Sequence, residues 1–223
     1  KDEFEKFLMW LTGKVGTEEQ REIASKVEYA IFTGDLVEGV GIYPEQDLDL
    51  TILDIKEQYK ALSRYIRMIP EHIQVVLIAG NHDAGRLQEP QLPLYKDFCE
   101  ELYELPNVTI LSNPSYFTID QSEKHPGFDV LLYHGYSIIY YANTVQTIRD
   151  AGGQKASEKI MKLFLQKRHL APTHGCNTYV PDPDEDLHVS AEPLHRDASR
   201  GAAATVARAS ARRPDRQRST RAR

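Results

Sequence analysis

The stretch Ile73-Gln74-Val75-Val76-Leu77-Ile78-Ala79-Gly80-Asn81-His82-Asp83 decides the reading of this 223-residue chain. Its first seven residues are apolar but for Gln74 and rich in β-branched side chains, as in a strand buried on both faces. Gly80 then breaks the run. At the carboxyl end of the strand follow two side chains able to bind metal, Asn81 and His82, and the carboxylate of Asp83. In open α/β sheets, that end of the strands is where ligands gather.

Two further stretches have the same form. Upstream, residues 27–32, apolar but for Glu28, run into Thr33-Gly34-Asp35-Leu36-Val37-Glu38-Gly39; downstream, residues 128–133 deliver His134-Gly135. Each has a plainer reading when taken alone. Asp after Gly serves as a turn residue or helix cap, Asn-His-Asp as an Asx turn, and a single His as a hydrogen-bonded structural group. Three strand ends with one logic point instead to loops that converge. Hydrolysing a phosphodiester near neutral pH requires an activated water and neutralised phosphate charge, and a pair of divalent ions supplies both. The three loops therefore read as part of a two-metal phosphoesterase site.

With these blocks the sequence resembles the calcineurin-like metallophosphoesterases, whose motifs include Gly-Asp-x-x-Asp/Glu, Gly-Asn-His-Asp/Glu and a later His. The wording between the blocks is more specific. Gly34-Asp35-Leu36-Val37-Glu38-Gly39-Val40-Gly41-Ile42-Tyr43-Pro44, Gly80-Asn81-His82-Asp83 with Gln88-Glu89-Pro90-Gln91, Leu111-Ser112-Asn113-Pro114, Tyr133-His134-Gly135 and Arg168-His169-Leu170-Ala171-Pro172 resemble the small subunits of archaeal family D DNA polymerases. The resemblance covers roughly residues 1–186. It implies a metal-dependent 3′-5′ exonuclease and accessory subunit of a replicative polymerase. Its partners would be the large catalytic subunit and a single-stranded DNA 3′ end, with no membrane involved.

Carried over by position, the resemblance implies that Asp35 bridges two metals, that Asn81 and His134 each bind one, and that His82 is the catalytic residue assisting the leaving oxygen. Imidazole exchanges protons in the range such a role needs. Glu38 and Asp83 would orient the ligands. Oxygen and imidazole donors suit manganese, magnesium, zinc or iron. Tyr43, Gln88 and Gln91 are candidates for a substrate groove; for Tyr43 the other reading is a turn anchor, and for the glutamines a structured loop. Other function classes stay open: a phosphoesterase for small phosphoesters or phosphoproteins, and a non-catalytic polymerase scaffold subunit.

The same resemblance implies an Asp-x-His block on a first strand and a closing Gly-His-x-His block. Neither is present, and His188 and His195 lack the i, i+2 pairing. The expectation is a fold incomplete at both ends, with weak metal binding and little activity. From residue 187 onward the chain has nine Arg and no Lys, whereas residues 1–186 hold 12 Lys and six Arg. This Arg/Ala-rich segment reads as a disordered tail, either a genuine basic tail able to meet nucleic acid or the product of a frameshift. Residues 1–186 form one partial phosphoesterase domain in this reading.

The net charge of −6 divides into −12 for residues 1–186 and +6 for the remainder. An acidic body is compatible with phosphate chemistry when ions supply the local positive charge. Cys99 and Cys176 carry no partner motif, and no apolar run reaches membrane length, so a reducing, cytoplasmic setting is expected. Apolar spacing predicts helices over 4–11, 48–69, 95–105 and 157–168, strands over 27–32, 73–79 and 108–111, and an antiparallel pair over 116–119 and 128–133. Alternating strands and helices make this an α/β fold, and the resemblance narrows it to the calcineurin-like metallophosphoesterase fold, a β-sandwich flanked by helices.

Overall fold

The computed structural model describes residues 2–181, 189 and 203–205. Strand β2 (Gln74–Ile78) is its centre, and its side chains divide by the two-residue period of a strand. Val75 and Leu77 face a core shared with helices α1 (Asp2–Leu11) and α3 (Ile55–Ile66), through Leu8, Leu11, Tyr59 and Ile66. Val76 and Ile78 face the other way, onto Phe117 and Leu132. All four β2 side chains are fully buried, each stabilising the fold by about 1.5–3 kcal/mol relative to exposure.

β2 lies between β1 (Tyr29–Thr33) and β3 (Val108–Leu111), parallel to both. Phe117 and Leu132 belong to a second sheet, in which β4 (Ser115–Ile119) pairs antiparallel with β5 (Phe128–Leu132). β5 alternates as well. Leu132 joins the core between the sheets, while Leu131 and the following Tyr133 pack on a third core with helices α5 (Ile138–Thr144), α6 (Gln146–Asp150) and α7 (Ser157–Lys167). The order of layers is helix, parallel sheet, mixed sheet, helix. The expected α/β sandwich flanked by helices is therefore present.

Local chemistry sets several boundaries away from the periodicity. The helix expected over 48–69 begins only at Ile55, because Asp54 caps it, accepting from Lys56 N at 2.8 Å and Glu57 N at 3.1 Å. Leu48 and Leu53, both inside the expected helix, are exposed instead. Of the helix expected over 95–105, only α4 (Glu100–Tyr103) forms. Helix α2 (Glu18–Ala24) went unanticipated although Thr17 and Gln20 make a capping box, each side chain accepting from the other's backbone N–H.

Two points in the segment after 186, which reads from composition as a disordered tail, meet the body. Val189 is buried in the third core and exchanges hydrogen bonds with Arg168, and Ala203–Thr205 forms β6, parallel to β4. The physical reason in the second case is that an uncovered strand edge offers backbone partners to any extended segment. The rest of that segment, with His188 and His195, lies outside the described residues. Among the described residues, no helix is long and apolar enough to cross a membrane.

Candidate active site

Thr33 and Ile78 are register partners, so β1 and β2 end side by side and their loops leave at the same level. The loops approach so closely that only glycine fits. A Cβ on Gly80 would stand 2.3 Å from both the backbone N and the Oδ1 of Asp35, and one on Gly34 would stand 2.5 Å from His134 Nδ1. Gly34 also has φ +94°, a left-handed conformation that glycine adopts freely. Asp35 follows at φ 52°, a region that Asp tolerates better than most residues.

From the second sheet, the end of β5 brings His134 onto these loops. Its Nδ1 lies 2.7 Å from the Thr33 carbonyl oxygen, which only accepts, so Nδ1 carries the proton and Nε2 is left with a lone pair. Nε2 faces Asn81 Oδ1 at 3.0 Å and Asp35 Oδ1 at 3.4 Å. Three acceptors thus face one another, an arrangement that a cation or a proton among them turns from repulsive to attractive. Donors bound at about 2.1 Å to adjacent positions of an octahedral ion stand about 3 Å apart, so Asp35, Asn81 and His134 fit a divalent ion. Asp35 is 38% exposed and the His134 side chain 15%, which places the opening on the Asp35 side. Among the described residues no group of three His, Cys, Asp or Glu side chains is placed to hold a metal; the third donor here is an amide.

His82 stands beside this set. Its backbone N–H donates to Asp35 Oδ1 at 3.0 Å and its Nδ1 donates to the Glu38 carbonyl at 3.0 Å, so the imidazole presents Nε2 outward from the loop. Glu38 thus meets His82 through its main chain, while its carboxylate lies on the exposed side of the loop near Tyr43. Asp83 is 5% exposed and binds both loops: Oδ2 accepts from Gly80 N at 2.8 Å and Oδ1 from Leu36 N at 3.2 Å. Tyr59 of α3 donates to Asp83 Oδ1 at 2.9 Å and accepts from Ala84 N at 2.9 Å. Burial pushes the Asp83 carboxyl above the usual range, and the nearby Asp35 adds to this; the bonds from Gly80, Leu36 and Tyr59 oppose it.

The substrate-groove expectation needs correction. Gln91 is 4% exposed, and its amide is already used by the protein, donating to Gly80 O at 3.0 Å and accepting from Asn113 Nδ2 at 2.7 Å. A saturated, buried amide has nothing to offer a substrate. Gln88 is exposed. Tyr43 is 46% exposed and donates to Asp49 Oδ2 at 3.2 Å, the turn-anchoring contact.

Three residues that support the site were missed. Tyr59 was read as helical core spacing only. Asn113, fully buried, accepts from His134 N at 2.8 Å, and the one available signal was its place in the Leu111–Pro114 block. Glu89, 1% exposed, lies under the same loops. Burial raises its carboxyl to about 7, against hydrogen bonds from Tyr133, Asn177 and Asn113 that lower it. A folded-state value above the unfolded one means that the contribution is present at low pH and lost as pH rises through about 7. Relative to the Glu89→Gln variant, the parent should therefore lose up to about 3 kcal/mol of stability between pH 5 and pH 8. Urea melts of both proteins at the two pH values measure this; a pH-independent difference would contradict it.

Residues 2–203 match the calcineurin-like phosphoesterase family. The chain is 40% identical over 194 residues to the DNA polymerase II small subunit of Methanothermobacter thermautotrophicus, an alignment covering 87% of this chain and 38% of that protein. The DNA polymerase II small subunit of Pyrococcus furiosus is 39% identical over 191 residues, covering 85% and 30%, and that of Methanocaldococcus jannaschii 40% over 187 residues, covering 84% and 30%. The chain spans about a third of the length of these curated relatives. With a family match over most of its length and strand-end loops that converge as described, the chain belongs to the calcineurin-like phosphoesterases.

Proposed function

We propose that this chain forms the metal-dependent nuclease centre of a 3′-5′ proofreading exonuclease, within the accessory subunit of an archaeal replicative DNA polymerase. The observation that carries the reading is the convergence of Asp35 Oδ1, Asn81 Oδ1 and His134 Nε2 beside His82. The names of the similar proteins support the polymerase context, with a large catalytic subunit as partner; a cytoplasmic setting is part of the same proposal. We take residues 1–186 as the phosphoesterase unit.

A divalent ion at this position supplies positive charge for the scissile phosphate and makes a coordinated water more acidic. The chain's residues do the rest. Asp35, Asn81 and His134 hold and orient the ion, and Asp83 keeps the two loops at their separation. His82, its Nδ1–H fixed on the Glu38 carbonyl, would in its doubly protonated form deliver the second proton from Nε2 to the leaving 3′ oxygen. Two ions of manganese, magnesium, zinc or iron are the expected complement.

The test is a 5′-labelled single-stranded oligonucleotide incubated with each metal in turn. Slow, metal-dependent shortening from the 3′ end, lost in the His82→Ala variant, is the expected result for a centre that lacks the first and last motif blocks. Hydrolysis of nitrophenyl phosphate with intact DNA would shift the reading to small phosphoesters. Manganese binding with neither substrate cleaved would shift it to a scaffold subunit.

A further inference from the structure

The Glu89 carboxylate is fully enclosed, and its three side-chain contacts are all with donors. Asn113 Nδ2 donates to Oε1 at 3.3 Å, Tyr133 OH to Oε2 at 3.2 Å, and Asn177 Nδ2 to Oε2. The donors stand on three segments of the chain: Asn113 follows β3, Tyr133 ends the β5 run directly before His134, and Asn177 follows α7. The backbone of Glu89 is held too, its N–H donating to Thr178 O at 3.0 Å and its carbonyl accepting from Val180 N at 2.9 Å.

Asn113 carries this constraint to the site. Its Nδ2 is shared between Glu89 Oε1 and Gln91 Oε1, and its Oδ1 accepts from the backbone N–H of His134 at 2.8 Å. An amide can be turned either way. Glu89 Oε1 and Gln91 Oε1 both accept from Nδ2, so together they favour the orientation with the amide nitrogen toward them and the oxygen toward His134. Gln91, held by the same amide, donates to the Gly80 carbonyl at 3.0 Å.

We propose that Glu89 is a positioning residue for His134, acting through Asn113. The inference rests on the functional reading only in taking His134 to face the metal; the placement itself is independent of catalysis. Removing the acceptor at position 89 leaves the Asn113 amide nitrogen held by Gln91 alone and so loosens its hold on the His134 main chain. β2, the central strand of the parallel sheet, is held in register by β1 and β3 and does not respond.

The experiment is amide hydrogen exchange on the parent and on Glu89→Ala, Glu89→Gln, Asn113→Ala and the Glu89→Ala/Asn113→Ala double variant, with Val76 and Leu77 amides as the internal standard. Loss of one hydrogen-bonding partner corresponds to about tenfold, so exchange at His134 relative to that standard should quicken about tenfold in Glu89→Ala. Glu89→Gln, which keeps the volume and one oxygen, should quicken it about threefold. In the Asn113→Ala background the substitution at 89 should add nothing. Unchanged His134 exchange in Glu89→Gln overturns the proposal even if Glu89→Ala does not fold, and so does an equal loosening of Val76 and Leu77, or an effect that persists without Asn113. Manganese affinity of the parent, read in parallel, separates the two questions: no binding there defeats the functional reading and leaves the exchange result standing.

Discussion

Replacing Asp35 with Asn should lower manganese affinity more than about a hundredfold while leaving the metal-free protein as stable as the parent or more so. The side chain keeps its shape and its oxygen, so the bond accepted from His82 N at 3.0 Å survives. What is removed is the charge. In the parent, Asp35 Oδ1 meets the His134 Nε2 lone pair at 3.4 Å, with Asn81 Oδ1 also turned toward it. With the amide oxygen kept in that place for His82 N, the lost negative charge itself weakens the clash of acceptors that the cation relieves in the parent. Isothermal titration with manganese and urea melts without it give the two readouts. Retained affinity would remove Asp35 from the ligand set, and a large loss of stability would show that its role is structural.

The substitution Gly80→Ala should cost about 3 kcal/mol or more and abolish cation binding together with hydrolysis. The new Cβ would lie 2.3 Å from the Asp35 backbone N and Oδ1 and 2.7 Å from His134 Cε1. These neighbours cannot easily withdraw. The first follows a strand held in register with β2, and Asp83 ties Leu36 N and Gly80 N to one carboxylate. Overpacking of this kind is resisted by backbone rather than by a movable side chain. Gly85→Ala is the control, since a Cβ there meets nothing within 4 Å, and its effect should stay within about 0.5 kcal/mol. Equal behaviour of the two variants would show that the loops are not in contact.

The strand ends were legible because three physical signals coincide there: a buried apolar run, a glycine and a polar group. The supports beneath them were not. Tyr59 reaches Asp83 across 24 residues, and only the packing of α3 on the sheet creates that bond. Gln88-Glu89-Pro90-Gln91 looks like a solvated loop by composition. In the fold it runs extended, with Glu89 bridged to Tyr179 and Gln91 to Asn113, so alternate residues turn inward. Their polarity misled because it serves other buried polar groups rather than water or substrate. The long helix read over 48–69 failed for a simpler reason, since Asp54 was itself a visible start signal that the apolar spacing obscured.

Asp35 and Asn81 close strands of the parallel sheet, whereas His134 closes a strand of the mixed sheet. A cation held among them is a rivet through both layers, and the layers cannot part until it is given up. Mass action then links ion concentration to the separation of the sheets as well as to chemistry. Unfolding of the two sheets would merge into one cooperative event when the ion is abundant and come apart into two when a chelator removes it.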